Sequence, residues 1–178
     1  AMSGRRIGAI LLGLALGAVF SPPSASRADS VTESVTFTVE IVEGCKLGVG
    51  GTNPASFGTI DFGQTSFLDQ AIDGVGTAGA GAVVGTCAPG TTFTIALGDG
   101  QNAGGVGERY MTDGGGNFIR YDLYQDSSRS ISWTTLSTLE DTADGSEQVF
   151  PVYGRVPSAG TTPPAGLYTD ELLVTVSF

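Results

Sequence analysis

Apolar and polar residues alternate along several short segments of this chain, and this pattern limits the fold more than any other feature. The alternation is clearest over residues 35–41, 93–97, 119–123 and 172–178. No stretch keeps the 3.6-residue apolar period of a helix for three turns, whereas a period of two is typical of half-buried strands. Gly, Asn, Asp and Pro separate the segments, so the sequence predicts an all-β antiparallel sandwich.

Three further segments are predicted as strands on weaker patterns. They are residues 57–62, 82–87 and 149–153. The last of them contains Pro151, which has no amide proton to donate and therefore favours an edge or bulge position. With 178 residues in total, the chain is expected to form a single sandwich domain.

The residue composition excludes several classes of function. The chain has no His and two Cys among its 178 residues, so neither a His-dependent triad nor a zinc site with imidazole ligands is available. Its formal net charge of −10 argues against nucleic acid as a partner. We therefore expect a protein that is not an enzyme and that binds no cofactor and no metal.

The first residues have the layout of a secretory signal peptide. Arg5 and Arg6 precede an uncharged apolar run over residues 7–20, and small residues follow it. The expected cleavage lies after Ala28, with a cut after Ala25 as the alternative. A secreted chain passes through an oxidising compartment, so Cys45 and Cys87 are expected to form a disulfide.

Other motifs have weaker functional interpretations. Residues 74–79 match G-x-G-x-x-G, but the residues that follow favour a strand rather than the helix that a dinucleotide site requires. Residues 99–102 offer oxygen ligands for calcium without EF-hand spacing. Glu140 and Asp141 are adjacent, so in a strand they point to opposite faces and cannot converge on a substrate. Trp133 is a candidate sugar platform or an ordinary sheet residue.

The alternating segment nearest the amino terminus has two interpretations. Val35, Phe37, Val39 and Ile41 share one face of this segment, which contains neither Gly nor Pro. The segment is either the first strand of the chain's own sandwich or a strand that completes the sheet of a neighbouring molecule. Burial of each of these side chains would contribute about 1.5–3 kcal/mol, enough for a head-to-tail contact to persist.

Several motifs, taken in order, resemble the spore coat protein U domain family, which includes subunits of archaic chaperone–usher pili. After the alternating segment and Cys45 come FGTIDFG, GTC, IRYDLYQD and PVYGRVP, and the chain closes with GLYTDELLVTVSF. One departure is Gly85, a position where the family more often has an apolar residue.

The resemblance implies an incomplete immunoglobulin-like β-sandwich that lacks its last strand. It divides the chain into a signal peptide (1–28), an N-terminal donor strand (29–43) and a pilin domain (44–178). Donor residues would be Val35, Phe37, Val39 and Ile41, and an open acceptor groove would follow the last strand, at Leu172, Val174, Val176 and Phe178.

The function that the resemblance implies is structural. A periplasmic chaperone would supply the missing strand, and an outer-membrane usher would exchange it for the donor strand of the next subunit. The result would be a homopolymeric pilus at the cell surface, serving adhesion and biofilm formation. The alternatives are a spore-coat or extracellular matrix protein and, from another class, a secreted carbohydrate- or calcium-binding module.

Overall fold

The computed structural model describes residues 34–53 and 56–178. The predicted signal peptide therefore lies outside the described residues. The chain divides into two units, Ala1–Val39 and Glu40–Phe178, and the second contains every described strand.

The described residues of the second unit form ten short strands and one 3₁₀ turn, Val49–Gly51. In chain order, the strands are β1 (Cys45–Leu47), β2 (Ile72–Val75), β3 (Val83–Cys87), β4 (Thr92–Leu97), β5 (Arg109–Thr112), β6 (Phe118–Tyr124), β7 (Leu139–Thr142), β8 (Gln148–Phe150), β9 (Tyr153–Val156) and β10 (Val174–Ser177). This confirms the predicted all-β class.

The strands form three sheets in which every pairing is antiparallel. Their orders are β1-β3-β8, β10-β4-β7 and β2-β9-β6-β5. The rings of Phe93 in β4 and Phe150 in β8 meet edge to face, with 5.7 Å between their centroids. The first two sheets therefore pack against each other, as the two layers of a sandwich do.

The alternation in β4 and β6 correctly predicts which side chains form the core. Phe93, Ile95 and Leu97 of β4 are almost fully buried, as are Tyr121 and Leu123 of β6. Apolar residues on one face of each strand pack inward, while the intervening residues are more exposed.

Two of the weaker strand predictions are wrong in detail. Residues 57–62 form no strand, although Phe57, Ile60 and Phe62 still pack against the core. The predicted strand over residues 149–153 is two strands, β8 and β9, which pair with different neighbours. Pro151 lies in the break between them, where its missing amide proton costs no ladder hydrogen bond.

The glycine-rich motif at residues 74–79 is followed by the strand β3 rather than by a helix, as its flanking sequence predicts. It begins in β2 and continues into a turn closed by hydrogen bonds between Thr77 and Ala80. A Cβ on Gly76 would lie 2.6 Å from the backbone of Gly81. Two backbones therefore approach each other here, and this contact explains the glycine without a bound nucleotide.

Trp133 and Arg109 are buried at the centre of the domain. Trp133 has no exposed surface, so it is not a sugar platform, and its indole Nε1 donates a hydrogen bond to the Ile95 carbonyl at 2.9 Å. Arg109 is 1% exposed and donates to the carbonyl oxygens of Leu97, Gly98 and Trp133. Burial lowers the pKa of Arg109. Its donors satisfy carbonyl groups that would otherwise be buried without partners.

Tyr121 is the basis of a pH-dependent prediction. Its hydroxyl donates a 2.6 Å hydrogen bond to Asp170 Oδ2, and burial, together with this carboxylate, raises its pKa. The protonated phenol therefore stabilises the fold below the unfolded-state pKa of about 10, and the contribution is lost as the pH rises further. We expect Tyr121→Phe to cost about 1.5–3 kcal/mol at pH 7, with a smaller difference from wild type above pH 10.

Urea unfolding of both proteins at pH 7 and near pH 10.5 measures this difference. Tyr110→Phe is the matched control, because the Tyr110 hydroxyl makes no hydrogen bond in the described part of the chain. A Tyr121→Phe effect of equal size at both pH values would contradict the assignment.

Candidate functional site

The strands β1 and β10 are open edges of two different sheets. Among the described residues, β1 pairs with β3 alone and β10 pairs with β4 alone. An open edge presents unpaired N–H and C=O groups, so it can accept an additional strand. In β1 the outward amide and carbonyl of Leu47 are already hydrogen-bonded to Asn53, so the edge that is free to accept a strand is mainly that of β10. Strands β1 and β10 thus give one edge in each of the two facing sheets, whose opposite edges are β8 and β7.

The predicted groove residues alternate along the final part of the chain. Leu172, Val174 and Val176 are half-buried and pack against the core, whereas Phe178 is 60% exposed. Strand β10 spans Val174–Ser177, so the predicted strand over residues 172–178 is shorter than expected. The three half-buried side chains point to the inner face beside the open edge.

A small apolar cavity of about 10 Å³ lies between these two edges. Leu47 of β1 and Val176 of β10 line it from opposite sides, and β3, β4 and β8 supply the remaining walls. The full lining is Leu47, Val83, Gly85, Cys87, Phe93, Ile95, Phe150 and Val176. None of the residues that line the cavity is charged, so it matches apolar groups better than charged ones.

The predicted disulfide is confirmed at one wall of this cavity. Cys45 and Cys87 are bonded and lie directly opposite each other in the β1–β3 ladder, with their Cα atoms 4.0 Å apart. Strand β1 has only three residues. The disulfide therefore anchors a short edge strand that hydrogen bonds alone would hold weakly.

The N-terminal alternating segment forms no strand in the structure. Residues 34–44 have no regular secondary structure, so the interpretation as the first strand of the chain's own sandwich is wrong. Val35, Phe37, Val39 and Ile41 have 72%, 90%, 88% and 87% of their side-chain surface exposed. Four large apolar side chains at alternate positions are thus exposed to solvent, which is unusual unless they have a binding role.

The other candidate sites do not form a site in the structure. Glu140 and Asp141 lie on β7 and point to opposite faces, as expected from their spacing. Asp99 accepts a hydrogen bond from the Gly107 amide, which is a loop contact. Within residues 34–53 and 56–178, no three His, Cys, Asp or Glu side chains are arranged to hold a metal ion.

A group of paired charges lies beside the sheet β2-β9-β6-β5. Arg155 donates two hydrogen bonds to Asp73, and Arg129 also contacts this carboxylate at 3.2 Å. The hydrogen bond from Arg155 lowers the pKa of Asp73. These paired charges are a solvated surface feature, and the sequence analysis did not predict them.

Several residues that line the cavity were not predicted from the sequence. Leu47 and Phe150 belong to β1 and β8, which have three residues each and show no clear alternation. The position of Leu47 two residues after a disulfide-bonded Cys was a usable signal, because residues two apart in a strand share a face.

Comparisons with known proteins place the chain in a family. A search of solved structures finds a chaperone–tip adhesion subunit pre-assembly complex from the archaic chaperone–usher Csu pili of Acinetobacter baumannii. The matched chain of that complex is 21% identical to this chain, with a TM-score of 0.47. The match covers 78% of this chain and 40% of the solved chain. A search of curated proteins finds no match. No helix in the described residues is long and apolar enough to cross a membrane. The family model of the Spore Coat Protein U domain matches residues 31–175, and the chain therefore belongs to that family.

Proposed function

We propose that this chain is a structural subunit of a secreted pilus that is assembled by chaperone–usher donor-strand exchange. One observation carries the proposal: an apolar cavity lies between two sheet edges, while the same chain has an exposed, alternating apolar segment that pairs with none of its own described strands. The donor segment of one copy would complete the sandwich of the next.

Each half of the proposed contact has its own set of residues. Val35, Phe37, Val39 and Ile41 are the donor side chains, and Leu172, Val174, Val176 and Phe178 form the acceptor edge. Strand addition pairs the unpaired backbone groups of the edge strands, and the alternate donor side chains fill the apolar space below. Because each copy carries one donor and one acceptor, the proposed contact is head to tail and extends into a filament.

An open edge above an apolar cavity is an aggregation hazard for a single subunit. A periplasmic chaperone would prevent this aggregation by covering the edge until an outer-membrane usher releases the subunit. Residues 1–28 would direct export and be removed, residues 29–43 would serve as the donor, and residues 44–178 would form the pilin domain. The assembled fibre would act in adhesion and biofilm formation at the cell surface.

A pair of substitutions on β10 tests the acceptor edge. Val176 lines the cavity, while its neighbour Thr175 is exposed on the other face. A peptide with the sequence of residues 31–42 is expected to raise the melting temperature of the dilute wild-type chain by about 5–10 °C at a hundredfold excess over its Kd. Thr175→Lys should keep this shift, whereas Val176→Lys should lose it because its charge would be buried.

Each variant is compared with its own peptide-free melting temperature, so that any loss of intrinsic stability is subtracted. A peptide of the same composition in scrambled order is the control for non-specific binding. An equal peptide shift in the Thr175→Lys and Val176→Lys chains would refute the acceptor edge.

A further inference from the structure

Strand β3 has a gap in its inner face at Gly85. Residues at alternate positions of β3 share a face, and Val83, Gly85 and Cys87 all line the cavity. The two outer residues are buried, with 2% and 5% exposure. Between them, Gly85 contributes no side chain, so the floor of the cavity is recessed at this position.

The backbone does not require glycine at position 85. Its φ angle is not in the left-handed region. A Cβ at this position would lie 3.4 Å from Leu47 Cδ2 and 3.5 Å from the Lys46 carbonyl oxygen, which are ordinary van der Waals contacts. Glycine in a strand is less favourable than a residue with a side chain. The recess therefore has a cost in stability that the fold of the single chain does not explain.

Aromatic rings form the walls next to this recess. Phe93 and Phe150 both line the cavity and contact each other edge to face, with an interplanar angle of 75°. Phenyl rings in this arrangement present faces and edges that stabilise an additional aromatic ring beyond its burial alone. The space above Gly85 is thus better matched to an aromatic side chain than to an aliphatic one.

Only one of the four donor residues is aromatic. Phe37 is also the most exposed of them, at 90%. We propose that Gly85, Phe93 and Phe150 form an acceptor pocket for Phe37 of a second copy of this chain, and that Gly85 thereby determines the register of the donor strand. This inference rests on the proposed donor-strand function and specifies its contact.

The pocket must deepen when the donor enters. The cavity of about 10 Å³ is smaller than a phenyl ring. Leu47 and Val176 lie on the two edges, so a strand inserted between β1 and β10 separates them and opens the space above Gly85.

A double-mutant cycle on the full-length chain tests the pairing. The measurement is the dissociation constant between copies, obtained by sedimentation after oxidative refolding. Phe37→Ala is expected to weaken association about a hundredfold, because a buried aromatic ring is lost. Gly85→Val should weaken it about tenfold or more by filling the recess, and Gly85→Ala should have a smaller effect in the same direction.

The combined variants distinguish pairing from general damage. Chains with both Gly85→Val and Phe37→Ala are expected to associate no more weakly than chains with Phe37→Ala alone, because the valine occupies space that the ring has vacated. The matched control combines Gly85→Val with Val39→Ala, and here the two effects should multiply. If the effects of Gly85→Val and Phe37→Ala also multiply, the pairing is wrong.

Monomer stability provides the remaining controls. The melting temperature of the dilute Gly85→Ala monomer should not fall, since a Cβ at this position makes only ordinary van der Waals contacts. If Phe37→Ala lowers the melting temperature of the dilute monomer, the ring occupies the cavity of its own chain, and the assignment to a second copy is overturned. If no donor substitution weakens association, the proposed donor-strand function itself fails.

Discussion

A chain without residues 29–43 is expected to fold and to bind its chaperone but to form no polymer. Every residue of the described core lies at or after Cys45, so the deletion removes no core contact. It does remove all four alternating apolar side chains, each of which would contribute about 1.5–3 kcal/mol when buried in a neighbour. Without them, the head-to-tail contact loses most of its favourable free energy.

Co-expression of the truncated chain with its cognate chaperone, followed by electron microscopy and size-exclusion chromatography, measures this outcome. The expected product is a soluble complex of one chaperone and one subunit. The matched control replaces residues 29–43 with a Gly/Ser sequence of equal length, which keeps the spacing but not the apolar face. Normal fibres from either variant would refute donor-strand exchange through this segment.

Loss of the disulfide is expected to give the second large effect. Cys45 and Cys87 are 42 residues apart in the sequence. In the chain-entropy model, a loop of this length gives about 4 kcal/mol, and removal of a native disulfide typically costs 2–5 kcal/mol. The loss should also release β1, since three residues of ladder are a weak anchor. The acceptor cavity would then lose its Leu47 wall.

Chemical unfolding of the Cys45→Ser/Cys87→Ser chain gives the free energy, and the thermal shift with the residue 31–42 peptide reports on the cavity. Cys45→Ala/Cys87→Ala is the control for the buried hydroxyl that serine introduces at position 87. Reduced wild-type protein should match both variants. An unfolding free energy within 0.5 kcal/mol of oxidised wild type would contradict the prediction.

The strands that could be predicted from sequence are those with a clear alternation. Strands β4 and β6 have three or more alternating apolar positions and bury them as expected. Strands β1, β2, β5 and β7 have three or four residues each, too few to show a period. Their pairing depends on partners far away in the sequence, so local pattern could not reveal it.

Arg109 shows why the polar core could not be predicted. An isolated arginine is usually exposed. This one is buried because the carbonyl groups of Leu97, Gly98 and Trp133 converge on it, and these residues come together only in the folded domain. For Trp133, in contrast, the sequence allows two interpretations, a sugar platform or an ordinary sheet residue, and its complete burial favours the second.

The candidate site was predictable in part. The alternation at Val35–Ile41 marks a segment whose apolar side chains are exposed in the structure, and this exposure supports the proposed role outside its own sheet. The resemblance to the spore coat protein U domain family also identified Gly85 as a residue that differs from the family's usual pattern. The function of that glycine could not be inferred from sequence, because the recess exists only where Leu47, Phe93 and Phe150 surround it.

The disulfide between β1 and β3 also has a mechanical consequence. In a fibre built through the proposed donor segment, residues 29–43, tension along the fibre would reach each subunit at Cys45, two residues beyond that segment. The covalent bond to Cys87 passes that load directly to β3, which is hydrogen-bonded on both sides, to β1 and β8. Strand β1 therefore cannot be peeled away one hydrogen bond at a time, and the fibre would resist pulling with the strength of its central strands rather than that of its weakest edge.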